Sequence, residues 1–212
     1  CLQDVPPPSS VSPPRAALLT LGNMLPNLPR SGRAGNALAT RVVGLLLKGV
    51  AHYDDTIHQT ALSVLCRDVL GDESVPLDTR RACFLGLGKK LLTLLAEPRA
   101  GQLTFFTRAA TLNHLYRFLV VCQVELGPFS FPDLRPVAFF PGTFDPFSSG
   151  HKRIVEEIHA LGFDVYLAID EFSWSKRTLA RLQRRQIASM SVADLLDVFV
   201  FPDDVPVNIA MA

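Results

Sequence analysis

From Val137 onward the sequence alternates between two hydrophobic periods, and that alternation constrains the fold more than anything else in the 212 residues. Residues 137–140 are a short continuous apolar run, the pattern of a strand buried in a parallel sheet. A glycine-bearing loop follows. Ile154, Val155, Ile158 and Leu161 then recur at helical spacing and stop at Gly162. Residues 165–169 form a second apolar run, 178–192 a second helical stretch and 198–201 a third run. The order β-α-β-α-β predicts parallel strands with right-handed crossovers, one half of a doubly wound, Rossmann-like sheet over residues 137–212.

Upstream the period is helical throughout. Leu38, Val42, Leu45 and Leu46 make one stripe; Ile57, Ala61, Val64 and Leu65 make another. Phe84, Leu87, Leu91 and Leu94 make a third, with Asp78 as its expected N-cap after Pro76. Leu112, Leu115, Leu119, Cys122 and Leu126 make a fourth, ending at Gly127, where glycine suits a left-handed C-cap. Four apolar-faced helices must bury those faces against one another, so residues 34–127 read as a helical bundle. Residues 128–136 read as a linker. Residues 1–33, with PPPSS, SPP and NLPR, read as an extended linker, because proline fixes φ and lacks a donor. The fold class expected is α plus α/β. The first residue is Cys1 rather than Met, which points to a processed or excised chain.

Hydrophobic residues make up 48% of the chain, enough for a buried core, and the net charge of +1 gives no basic field to recommend nucleic acid. The most apolar stretches, 42–50 and 115–124, are short and carry Lys48 and Arg117, so no membrane span is expected. The N-terminus lacks the order of a signal peptide. Cys1, Cys66, Cys83 and Cys122 form no CxxC pair and three of them fall in helical patterns; free buried thiols in a reducing, cytoplasmic setting are expected. His52, Asp54, Asp55 and His58 match no metal-ligand spacing; helix capping by Asp54 or Asp55 with solvated histidines is the expectation. Arg80, Arg81, Lys89 and Lys90 read as a solvated basic face.

The loop after the first strand carries the chemistry. It runs from a strand's C-terminal end to a helix N-terminus, where ligands sit in open α/β sheets and where backbone N–H groups and the helix dipole favour phosphate. Gly142 and Gly150 allow a close backbone approach to a ligand. His151 can donate a hydrogen bond or carry positive charge to a phosphate. Ser148 offers a hydroxyl to phosphate or to hydrated Mg2+. No protein metal site is expected.

Gly142-Thr143-Phe144-Asp145-Pro146-Phe147-Ser148-Ser149-Gly150-His151 closely resembles the GTFDPx(H/T)xGH signature of the nucleotidyltransferase superfamily. Ser148 departs from the family's His or Thr; it keeps a hydroxyl and lacks the second imidazole. A further match is Lys176 after the second strand, followed by a helix with Arg184 or Arg185 in the family's Arg position. The resemblance implies binding of ATP, with Gly142, Thr143, Phe144, Asp145, Ser148, Gly150 and His151 around the phosphates and Mg2+ as cofactor. His151 and Lys176 would be catalytic, neutralising charge on departing pyrophosphate. Asp145 either touches substrate or braces the loop; Trp174 either stacks on a ring or packs. A mononucleotide or other phosphate-bearing acceptor would attack the α-phosphate. By similarity the acceptor order is nicotinate or nicotinamide mononucleotide, then pantetheine phosphate, then cytidylyltransferase acceptors with CTP.

The resemblance covers about the last third of the chain. The family's late ISSTxxR-like motif finds no match, so the expectation is a partial domain completed by a larger polypeptide or by a second copy. The competing class is a helical interaction scaffold with a catalytically incompetent nucleotide-binding remnant.

Overall fold

A computed structural model describes residues 13–24, 32–97, 102–131, 134–170 and 177–201. Five helices precede the sheet: α1 Pro13–Met24, α2 Gly32–Ala51, α3 Asp55–Val64, α4 Leu77–Ala96 and α5 Gln102–Leu126, with α3 continued by a π-helical turn, Leu65–Leu70. Strands β1 Val137–Gly142, β2 Asp164–Ile169 and β3 Val198–Val200 then alternate with α6 Ser149–Ala160 and α7 Arg181–Ser191. The strands are parallel in the order β1-β2-β3, with Phe140 opposite Leu167 and Leu167 opposite Val200.

The expected linker at the N-terminus contains a helix, α1. Its prolines sit at the helix start, where a missing N–H costs nothing, and the Ala-Ala-Leu-Leu run that follows favours helix. Leu18 is buried against the α2–α3 contact, so packing settles what proline content obscured. The helical core gathers Leu46, Leu47, Leu62, Leu65, Leu87 and Leu91. Asp54 is the N-cap of α3, accepting from the N–H groups of Thr56 and Ile57. His58 is not solvated: it is fully buried, and its Nδ1–H donates to the Val50 carbonyl at 2.6 Å. Asp78 is not the N-cap of α4; Pro76 holds that position, and Asp78 accepts from the Thr79 N–H within the first turn, where the helix dipole favours a carboxylate. Gly127 ends α5 at φ +80 as expected. Cys66, Cys83 and Cys122 are free, and burial pushes the Cys66 thiol up to about 11, which keeps it protonated. Among the described residues no helix is long and apolar enough to cross a membrane.

The sheet has two differently covered faces. On one, Phe140, Val165, Leu167, Val198 and Val200 pack with Val155 of α6, Ala188 of α7 and Val192 just after it. On the other, the rings of Tyr166 and Phe199 meet α4, whose Lys89 Nζ lies 4.4 Å from the Phe199 ring centre, and the Phe139 ring stacks beside Tyr166. That cover stops short of β1, so Val137 and Phe139 stay 52% and 45% exposed, against the expectation of a fully buried first strand.

Of the basic residues of α4, Lys90 is therefore not on a solvated face, whereas Lys89 stays exposed but paired. Lys89 bonds Asp164 at 2.5 Å; burial works against its charge, but the bonds to Asp164 and Tyr166 outweigh it and raise its pKa. Lys90 is 2% exposed and donates to the Val198 carbonyl of β3. Arg80 donates to the Leu70 carbonyl, and Arg81 closes the end of α5 through the carbonyls of Leu126 and Gly127. Asp194, after α7, sits against Gly44 of α2 and is clamped by Lys152 at 2.8 Å and Lys48 at 3.0 Å. Although burial opposes its charge, those two ammonium groups hold the Asp194 carboxyl below the usual range. Arg185, 4% exposed, meets Glu97 at the end of α4 in a bidentate pair, both bonds 2.8 Å. The helical layer is thus tied to the sheet layer by charge as well as by apolar contact.

Candidate functional site

The loop between β1 and α6 is built around an aromatic plug. Phe144 has φ +46 and is 4% exposed, its ring 5.4 Å from those of Phe140 and Phe147 and 5.2 Å from His151. A Cβ on Gly142 would lie 3.0 Å from the Phe144 ring, so glycine there makes room for the plug before it makes room for any ligand. At Gly150 an added Cβ would meet only Ser148 Oγ, at 3.7 Å.

Ser148 and His151 form a reciprocal cap at the start of α6. The Ser148 N–H donates to His151 Nδ1 at 3.0 Å, and Ser148 Oγ accepts from the His151 N–H at 3.4 Å. Ser148 Oγ also lies 3.0 Å from Nδ1. A ring nitrogen that accepts a backbone N–H carries no proton, so the neutral His151 ring holds its proton on Nε2 and presents Nε2–H as a donor. The Ser148 hydroxyl, read from the sequence as a ligand donor, caps α6 and lies against this histidine. Ser148→Ala is expected to lower stability by about 1 kcal/mol through the lost cap. Thermal melts check this, and an unchanged melting temperature would contradict the capping role.

Asp145 braces the loop: its Oδ1 accepts the Leu179 N–H at 3.2 Å, across to the segment leading into α7. The Thr143 hydroxyl reaches Asp170 Oδ2 at 3.4 Å, at the end of β2. The two arginines that sequence could not separate take different tasks. Arg184 turns toward the loops and donates to the carbonyls of Thr143, Asp170 and Leu179, whereas Arg185 turns to Glu97. Their burial was legible in principle, because residues 184, 185, 188 and 189 share one stripe of α7, all buried. Lys152 and its partner Asp194 were missed, since nothing local marks a lysine for an aspartate 42 residues on. Lys176 and Trp174 lie outside the described residues.

The class follows from this geometry together with sequence comparison. Residues 139–211 match the cytidylyltransferase-like family model, and this segment belongs to the nucleotidyltransferase superfamily. Among curated proteins it is similar to phosphopantetheine adenylyltransferase of Helicobacter hepaticus, 37% identical over 68 residues, or 32% of this chain and 41% of that one. The enzyme of that name from Blochmanniella pennsylvanica is 36% identical over 75 residues, 34% and 43% of the two chains. The one from Porphyromonas gingivalis is 44% identical over 52 residues, 24% and 33%. The chain thus spans at most 43% of the length of these relatives. No solved structure matches it.

Proposed function

We propose that residues 137–212 bind ATP and take part in adenylyl transfer to a phosphate-bearing acceptor of the phosphopantetheine type. The observation that carries the reading is the oriented His151, a fixed Nε2–H donor at a helix N-terminus on the C-terminal rim of a parallel sheet. The names of the relatives favour phosphopantetheine, second in the order read from sequence, over nicotinate or nicotinamide mononucleotide.

In the proposed reaction an acceptor phosphate oxygen forms a bond to the α-phosphorus of ATP. The bond from that phosphorus to the bridging oxygen breaks, and pyrophosphate leaves with its electron pair. The protein does little covalent work in such a transfer; position and charge neutralisation lower the barrier. His151 Nε2–H donates to a phosphate oxygen, and Asp145 and Ser148 hold the loop and ring that place it. By resemblance Lys176 adds a positive charge. Among the described residues no three His, Cys, Asp or Glu side chains group around a metal position. The rim carboxylate of Asp170 beside the Thr143 hydroxyl suits an ion brought in on phosphate oxygens, with Asp170 and water completing its shell. Mg2+ bound there would neutralise charge on the departing pyrophosphate.

Pyrophosphate release from ATP should appear with 4′-phosphopantetheine and not with nicotinamide mononucleotide, measured on this chain and on the longer native polypeptide. His151→Ala should lower turnover about a hundredfold or more, the usual loss for one phosphate-stabilising donor. Absence of both turnover and ATP binding in the longer polypeptide would sink the proposal. The scaffold reading draws on α5, where Leu112, Tyr116, Val120 and Val124 are 41–74% exposed at four-residue spacing. A scaffold with a spent nucleotide fold would fail the same ATP-binding test.

A further inference from the structure

Arg184 is 1% exposed on α7, and its guanidinium joins three separate segments of the sheet's C-terminal rim. Nη1 donates to the Thr143 carbonyl at 2.5 Å, Nη2 to the Asp170 carbonyl at 2.9 Å and Nε to the Leu179 carbonyl at 3.0 Å. The same three segments are cross-tied by Asp170 N–H to the Gly142 carbonyl at 3.1 Å and Leu179 N–H to Asp145 at 3.2 Å. A planar fork with donors in fixed directions can serve three carbonyls at once; an ammonium on a flexible stem cannot hold that geometry.

The bond to Thr143 has a consequence on the far side of the peptide. In a planar trans peptide the carbonyl and the following N–H point in opposite directions. Turning the Thr143 carbonyl inward to Arg184 therefore turns the Phe144 N–H outward. Phe144 at φ +46 is held by its buried ring, and its N–H has no acceptor among the described residues. An unpaired main-chain donor on a buried residue is uncommon and calls for a partner. The partner it suits is an anion, since the donor opens on the same loop whose other end carries the His151 Nε2–H.

We infer that Arg184 is a positioning residue for polyphosphate binding, fixing the Thr143–Phe144 peptide so that the Phe144 N–H donates to a phosphate oxygen. It acts through the backbone and does not touch the ligand. The inference rests on the proposed nucleotide site but not on the reaction carried out there.

The test uses the whole chain with ATP and with inorganic tripolyphosphate as probes. In the wild type the Phe144 amide resonance should move on adding tripolyphosphate. Arg184→Lys, which keeps the charge and loses the fork, should bind ATP about tenfold or more weakly, with the free-state Phe144 amide displaced and its hydrogen exchange altered. Arg184→Ala should regain part of its ATP affinity on adding guanidinium at millimolar concentration, which loss of fold alone would not allow. A stationary Phe144 amide in the wild type overturns the inference even if neither variant folds. So does a folded Arg184→Lys protein with ATP affinity within twofold of wild type. Tripolyphosphate binding with the expected amide shift but no adenylyl transfer would remove the transferase reading and leave this inference standing. Transfer activity with a silent Arg184→Lys would do the reverse.

Discussion

Stability should climb as pH rises from about 7 toward 10.5, and Lys90→Met should abolish that climb. Burial pulls the Lys90 ammonium down from 10.5 to about 7, only partly opposed by Asp194 and Glu97. Between those two values the unfolded chain keeps the proton and the folded chain has released it. Unfolding then takes up a proton, so raising pH favours the folded state, by roughly 1.4 kcal/mol per pH unit at most. Below pH 7 both states are protonated and the cost of the buried charge is carried in full. From pH 7 to 9 the expected gain is about 2–3 kcal/mol, large against a typical folding free energy. Methionine keeps the stem's packing and removes the titrating group, at the cost of a donor to the Val198 carbonyl. Urea melts at pH 6, 7, 8 and 9 decide the matter. A wild-type curve flat over that range, or an equal slope in Lys90→Met, would overturn the assignment.

Glu97→Ala should destabilise the protein by about 3–5 kcal/mol, the usual cost of leaving one member of a buried pair alone. The Arg185 side chain is 4% exposed and that of Glu97 16%, so solvent offers the stranded guanidinium little relief. Its guanidinium also donates to the Phe201 carbonyl. Replacing both partners, as in Glu97→Leu with Arg185→Met, should recover at least half of the loss, because an apolar pair leaves no charge to strand. The pair joins the end of α4 to α7, so the single variant should also loosen the helical layer from the sheet, read as faster amide exchange in α7. A loss under 1 kcal/mol in Glu97→Ala would show that this contact contributes little to the docking.

Both predictions turn on residues whose role was illegible locally. Lys90 stands three residues after Leu87 and four before Leu94, on the apolar stripe, yet its charge reads as solvent-facing, and Arg185 was half of an unresolved pair. By contrast the strand–loop–helix order, the cap at Asp54 and the C-cap at Gly127 could all be read from spacing within a few residues. The loop's residues were legible as a set and less so one by one. Asp145 is a brace across to Leu179, and the Ser148 hydroxyl lies against the His151 ring, a pairing that spacing alone did not give.

The sequence by itself determined the alternation of strand and helix and the position of the glycine-bearing loop between β1 and α6. These depend on periodicity and turn chemistry, which act over a turn of helix or a few residues of strand. Only the tertiary structure decided that α4 covers a sheet face with two lysines, that Arg184 serves the loop while Arg185 serves the helical layer, and that proline-rich residues open a packed helix. Those outcomes were set by partners 75, 108 and 88 residues away for Lys89, Lys90 and Arg185. A side chain's burial depends on which surface arrives to cover it, and chain order does not say which surface that will be.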